Sequence, residues 1–447
     1  MIRTWIFAAL LFLSARAETP PPLAIESFQA AWEIIRDTHF DTNYNGLNWN
    51  AVRAEFLPKI EKSKSPDEVR DQIQAMLDKL GHSHLMIIPG TPPRQNSKPV
   101  APQSEKPSAP TVANGSKAND DRPQNGAIGV EVRVLDGQIV VFRVDPGSSA
   151  EKAGLKPGAI LHEIDGEPAL DPTVHALEHS PRQRDFLLWH NAAHLLKGAV
   201  GEHCELIVEN VAGKKEKLSI PRVAETGLPA KLGNLPLMYT RTVTNELQTA
   251  SGKRIGYLRF NLWMVPAVLA IDRFVEEYRN ADGIVIDLRG NLGGIGGMVI
   301  GTAGHFLNER ASLGTMKMRD NELTFTAFPR RVNLRQQPTN TFQGKLAVLI
   351  DPITLSSAEL FAGGMKELGR ARLFGEPTGG QALPSVSDRL PNGDLLYHAV
   401  ADFTTPKGHR LEGPGVTPDE NIPLRLDALR AGRDDPLAAA LKWLDAK

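Results

Sequence analysis

Residues 344–368 read GKLAVLIDPITLSSAELFAGGMKEL, and their pattern decides the fold class. The unbroken apolar run Gly344–Asp351 has the length and composition of a strand buried on both faces. A turn through Thr354-Leu355-Ser356-Ser357 follows, and a helical pattern then runs from about Ser356 to Leu368. The same grammar occurs upstream, where Arg254–Phe260 and Gly283–Leu288 read as strands and Ala267–Tyr278 as a helix. Buried strands alternating with helices specify α/β layers.

Two turns in this region can carry chemistry. At a strand end that turns into a helix, a serine such as Ser356 or Ser357 is exposed beside an amide at the positive helix end. That suits a nucleophile next to an oxyanion donor, although for the turn taken alone a plain helix cap is the better reading of such a serine. The other turn is Asp287-Leu288-Arg289-Gly290-Asn291-Leu292-Gly293-Gly294. Its paired glycines let backbone N–H groups approach a developing anion, or simply let the chain turn.

Working outward, Gly126-Ala127-Ile128-Gly129-Val130 opens a β-rich stretch with strands at Val130–Leu135 and Gln138–Val144 around Asp136-Gly137. Next comes DPGSSAEKAGLKPGAILHEIDG, with a short helix stopped by Gly154 and a strand entering a turn at Asp165-Gly166. This run resembles a PDZ domain, spanning 125–224. The resemblance implies capture of a peptide C-terminus by the loop Ala127, Ile128, Gly129 and Val130, with strand addition to the sheet edge. A structural spacer is the alternative.

Before it, apolar residues recur at helical spacing through 18–88, as in Phe28, Ala31, Trp32 and Ile35, then Val69, Ile73, Met76, Leu77 and Leu80. Ser65-Pro66-Asp67-Glu68 opens the last helix and Gly81 ends it. Residues 89–124, rich in Pro, Ser, Asn and Lys, read as a disordered linker. Residues 1–17 read as a signal peptide, with Arg3, an apolar run and Ala15-Arg16-Ala17. Contact with a membrane is then expected only transiently through that peptide, and the product is periplasmic or extracellular.

The 447 residues suffice for several domains. Lys+Arg 51 against Asp+Glu 52 leaves a net charge of -1, with no basic field to hold nucleic acid. The single Cys204 cannot form an internal disulfide and reads as a small buried residue. His175/His179 and His190/His194 have i, i+4 spacing that would suit zinc, but no H-E-x-x-H appears, and no metal or organic cofactor is expected.

Together the motifs resemble the C-terminal processing (tail-specific) serine peptidases of family S41. They are Trp49 in the helical unit, the PDZ run, D-L-R-G-N-x-G-G, S-x-x-E, Gly375-Glu376-Pro377-Thr378-Gly379-Gly380, and Glu412-Gly413-Pro414-Gly415-Val416-Thr417-Pro418-Asp419. The resemblance implies a crotonase-like (ClpP/crotonase) α/β core over 225–447 and a serine endopeptidase acting on protein or peptide substrates. It makes Ser356 the nucleophile, with the N–H groups of Gly294 and Ser357 as oxyanion hole.

One position departs from the family. Where its Ser-Lys members have the lysine, this chain has Gln381, which cannot accept a proton. Lys366 lies in the helix after Ser356 and is expected to point into solvent. The chain is also similar to the tricorn-like branch with a Ser-His-Glu site. Leu80-Gly81-His82-Ser83-His84 and Glu412 stand at the matching motifs, implying His84 as base, with His82 as rival, and Glu412 as its orienter. A catalytically inactive peptide-binding protein is the alternative. The oligomeric state is left open.

Overall fold

The computed structural model describes residues 21–90, 125–174 and 181–446. The signal peptide read at 1–17, nearly all of the linker read at 89–124, and His175 and His179 lie outside the described residues. The chain forms two compact units. One comprises the residues before 98 together with Val386–His398, and the other comprises the remainder.

In the first unit, helices Ala24–Thr38, Trp49–Ile60 and Pro66–Asp78 bury Phe28, Ile35, Phe56, Ile73 and Leu77 against one another. Trp32 and Trp49 interlock: each indole N–H donates to the other residue's carbonyl, at 2.9 and 3.1 Å, so their aromatic bulk is buried without stranding a donor. Ser65 caps the third helix by accepting the Glu68 N–H at 3.1 Å, ahead of Pro66, as the sequence predicts. A hairpin from far along the chain completes the unit. Met86–Ile88 pairs antiparallel with residues 395–397, and Leu390 and Leu396 enter the helical core. Arg70 grips the buried Asp394 carboxylate at 2.9 and 3.0 Å, anchoring the hairpin turn with a paired rather than a bare charge.

The second unit is organised around a six-stranded sheet. Its order is Thr242–Gln248, Arg254–Phe260, Gly283–Asp287, Lys345–Ile350, Arg372–Gly375 and Glu420–Asn421, with the first pair antiparallel and the others parallel. Helices Val265–Glu277, Gly296–Ala303 and Ser357–Glu367 follow strands, as the alternation predicts. Their apolar faces enclose Trp263, Phe274, Phe306, Phe342 and Phe361, all buried. Truncating such a ring to alanine typically costs about 3–5 kcal/mol.

The same unit contains a second sheet in the order Val130–Leu135, Gln138–Val144, Ile160–Ile164, His203–Glu209 and Lys215–Pro221, with the helix Pro181–Leu195 beside it. Val130–Leu135 is its edge strand. Cys204 is buried, and burial pushes its thiol up to about 11, far from a reactive thiolate. Ion pairs bind this sheet to the core: Arg143 meets Asp287 at 2.5 Å, Arg133 meets Asp351 at 2.7 Å, and Arg259 pairs with Glu131. Burial alone would raise the pKa of Asp287, but Arg143 and Arg289 hold it far below the usual carboxylate range. The β-rich module therefore shares buried charge with the core.

Candidate active site

Adjacent parallel strands place the two chemistry-bearing turns together. Gly283–Asp287 runs into the glycine loop and its neighbour Lys345–Ile350 runs into the serine turn, so both turns leave the same edge of the sheet. Thr354 joins them, its hydroxyl donating to the Leu288 carbonyl at 2.9 Å, while the Leu355 N–H donates to the Asn291 carbonyl at 2.9 Å. Buried Asn291 shapes the loop by donating to the Phe260 carbonyl at 2.8 Å and accepting the Gly293 N–H at 3.0 Å. A Cβ on Gly293 would stand 2.6 Å from that of Ser356, so this close approach needs glycine.

Ser356 is partly exposed and has φ 52°, ψ -123°, a backbone conformation that non-glycine residues rarely adopt. Ser357 is buried, and its hydroxyl donates to the Gly294 carbonyl at 2.8 Å. The two serines are therefore distinguished by geometry: Ser356 is partly exposed in a strained elbow, where its side chain also faces the first helical turn in a capping box with Glu359, whereas Ser357 is buried and tied down. Trp263 bridges Gly294 through the flanking residues, by Trp263 N–H to the Gly293 carbonyl at 2.8 Å and Ile295 N–H to the Trp263 carbonyl at 2.7 Å. The Gly294 N–H is thus left without a protein acceptor among the described residues.

A buried carboxylate orders the elbow from beneath. Glu359 accepts the Thr378 hydroxyl at 2.5 Å, the Gly380 N–H at 2.8 Å, and the Ser356 and Gln381 N–H groups at 3.0 Å each. Burial pushes its carboxyl up to about 7, although these donors pull it down. Sequence reasoning treats Glu359 only as a motif letter; its spacing three residues after Ser356, in the first helical turn, is the available signal. Gln381 returns a bond, its carbonyl accepting the Ser356 N–H at 2.8 Å. The next residue, Ala382, donates to the buried Glu412 carboxylate at 3.0 Å, and Gly413 donates to the Gly380 carbonyl at 2.8 Å. The Ser356 turn, Gln381 and Glu412 are thus linked bond by bond within the second unit.

His84 belongs to the first unit. Its backbone has φ 58°, its ring lies 5.7 Å from that of Tyr397, and Ser83 Oγ lies 2.6 Å from Nδ1. Burial pushes its imidazole down to about 4, below the ordinary histidine range expected from sequence. His82 sets its ring 5.6 Å from those of His39 and Phe40 in the same unit, tilted to both. Lys366, expected to point into solvent, instead donates to the Thr417 carbonyl at 2.6 Å and pairs with Asp419. His190 and His194 lie on the Pro181–Leu195 helix, and no cluster of three metal-ligating side chains occurs among the described residues.

Three family models match the chain. They are Tricorn protease C1 domain over residues 25–78, PDZ domain over 117–176, and Peptidase family S41 over 254–422, the stretch that holds both turns. The S41 match covers 169 of the 447 residues, and with the relatives below it makes the chain a serine-type peptidase similar to that family. This serine-type peptidase is 24% identical to carboxyl-terminal-processing peptidase 3, chloroplastic, of Arabidopsis thaliana, over 93% of the chain and 72% of the relative. It is 26% identical to the carboxyl-terminal-processing protease of Picosynechococcus sp., over 88% of the chain and 82% of the relative. Its fold is similar to that of mature CPAF, with a TM-score of 0.60 at 12% identity, covering 94% of this chain and 95% of that one.

The PDZ domain of this serine-type peptidase holds its Ala127–Val130 loop firmly. The Ala150 N–H donates to the Ile128 carbonyl at 3.0 Å and the Asp145 N–H to the Gly129 carbonyl at 2.9 Å. A cavity of about 360 Å³ lies against the loop, with Trp189 and Ala193 of the helix and Tyr239 and Leu292 of the core also lining it.

Proposed function

We propose that this serine-type peptidase is an exported endopeptidase that cleaves protein or peptide substrates through a Ser356-His84-Glu412 site, with the PDZ groove receiving their C-terminal segments. The partly exposed Ser356 in its strained elbow, with the Gly294 N–H free beside it, carries the reading. Ser356 Oγ attacks the peptide carbonyl while His84 takes its proton. The oxyanion meets the N–H groups of Gly294 and Ser357, and the proton then passes to the leaving amine. Water hydrolyses the acyl-enzyme by the same route.

Several features support the roles. Burial keeps His84 neutral and able to accept a proton. Gln381 contributes its main chain to the elbow while its amide side chain cannot serve as base. Val130–Leu135, the edge strand of its sheet beside the anchored loop, suits strand addition by a peptide. The parallel sheet with active turns at one edge agrees with a crotonase-like core over 225–447, beside a PDZ domain at 125–224 and helices within 18–88. The apolar leader read at 1–17 supports export to the periplasm or beyond.

A fluorophosphonate probe tests the reading, because only an activated serine labels rapidly. Wild type is expected to label and Ser356→Ala is not. Absence of labelling in both would leave the inactive peptide-binding alternative.

A further inference from the structure

We propose that Arg182, in the first turn of the PDZ helix, is a positioning residue for Glu412, so that the PDZ domain forms part of the catalytic apparatus as well as a recognition module. The inference rests on the reading of Glu412 as the orienter of the histidine. Arg182 Nη1 donates to the Gly413 carbonyl at 3.0 Å and to the Pro414 carbonyl at 2.8 Å. These are the two residues directly after Glu412.

The segment is thus held from two sides. The core side supplies the Ala382 N–H to Glu412 and the Gly380 carbonyl to the Gly413 N–H. The PDZ side supplies the guanidinium. Gly413 and Gly415, at φ 88° and 69°, give this stretch backbone freedom. Core bonds limit it at its two ends, by Gly413 N–H to the Gly380 carbonyl at 2.8 Å, Gly415 N–H to the Leu411 carbonyl at 2.8 Å and Val416 N–H to the Thr378 hydroxyl at 2.7 Å. The Gly413 and Pro414 carbonyls between them are left to Arg182. A rigid, permanently charged donor on two successive carbonyls removes that freedom, and its bonds are stronger than neutral ones. Placement matters because a carboxylate that orients an imidazole has to be held within about 0.5 Å. Farther along the same helix, Trp189 and Ala193 line the groove cavity. One rigid element therefore spans from the recognition groove to the loop that carries Glu412.

The test uses the full chain and a fluorogenic peptide with an internal scissile bond and an amidated C-terminus, so that terminal capture does not contribute. Arg182→Ala is expected to lower kcat between about ten- and a hundredfold at nearly constant KM, the scale of a misplaced catalytic group. It should also shift the strong-acid limb of the pH profile that His84 sets and add little to the loss in Glu412→Gln, since both changes act on one unit. Arg182→Lys, which keeps a cationic donor, should recover part of the rate. Arg184→Ala, in the same helical turn, should match wild type. Wild-type kcat and pH profile in Arg182→Ala, alongside an impaired Glu412→Gln, would overturn the inference and leave the orienter reading standing. An unimpaired Glu412→Gln would remove that reading itself. Equal losses in Arg182→Ala and Arg182→Lys, with a lowered Tm in both, would assign Arg182 to stability alone and also overturn it.

Discussion

Exchanging the Glu359 carboxylate for an amide, Glu359→Gln, alters one atom of a fully buried group on which four donors converge. The protonated acid and the amide have similar shapes, each with an acceptor on one side and a donor on the other. The variant therefore mimics the protonated enzyme and cannot ionise. In the fold this carboxyl is raised from its ordinary 4.5 to about 7, chiefly by burial. The native state thus binds the proton more tightly than the unfolded chain does. Its stabilising contribution is full below about pH 4.5 and is lost as pH rises through about 7, worth at most roughly 3 kcal/mol. Wild type and Glu359→Gln should unfold alike near pH 4.5, whereas at pH 8 the variant should be the more stable, with a Tm several degrees higher.

Activity should move the other way. The anion is the form that accepts both the Ser356 and Gln381 N–H groups on one oxygen and the Gly380 N–H and Thr378 hydroxyl on the other. With a charged acceptor worth about 1.5–3 kcal/mol per bond, loss of one such bond at the elbow predicts a drop in kcat of about ten- to a hundredfold at pH 8. Paired thermal unfolding from pH 4.5 to 8 and hydrolysis of a fluorogenic peptide decide the matter. A stability gap that stays constant with pH would refute the argument that burial penalises the anion. Unchanged kcat would show that the elbow does not depend on it.

Ser356→Ala and His84→Ala should each lower kcat by a factor of about 10³ or more and be non-additive together, with Glu412→Gln clearly milder; steady-state kinetics on the three variants and the double variant check this. Because burial pushes His84 to about 4, its protonation should limit kcat/KM only in strong acid. An acid limb nearer pH 7 in wild type should be absent from the profile of Glu359→Gln, as measured from pH 4 to 8. Peptides with a free apolar C-terminus should be cleaved faster than their amidated forms, because amidation removes the charge that the Ala127–Val130 amides receive; equal rates would remove terminal capture.

The parts of this molecule legible in its sequence are those whose signals are local. The run 346–350 is apolar on both faces because it lies inside a parallel sheet, and the third helix announces itself through its Ser65 cap. The PDZ strands Val130–Leu135 and Gln138–Val144 appear at the residues their turn predicts. The hairpin around Asp394 leaves no such trace, since its partners Arg70 and Ile87 lie some three hundred residues away. Arg182 likewise reads as an ordinary polar helix residue, and its bonds to Gly413 and Pro414 follow only from the packed fold. The downward shift of His84 is equally invisible, because burial of its ring is a tertiary property.

Gln381 shows why a motif can persist in geometry while changing in chemistry. Its N–H binds Glu359 and its carbonyl binds the Ser356 N–H, so the position serves the elbow entirely through its main chain. Any residue other than proline supplies those two groups. The elbow therefore places no demand on the side chain at 381, and a lysine there is a separate, removable feature. A serine turn can accordingly keep its strained φ of 52°, its neighbouring glycine loop and its buried Glu359 while the base is supplied by another part of the chain. Glu412 is bonded to the residue next to 381 rather than to 381 itself. That arrangement allows a carboxylate to be held beside the elbow whichever side chain occupies the lysine position.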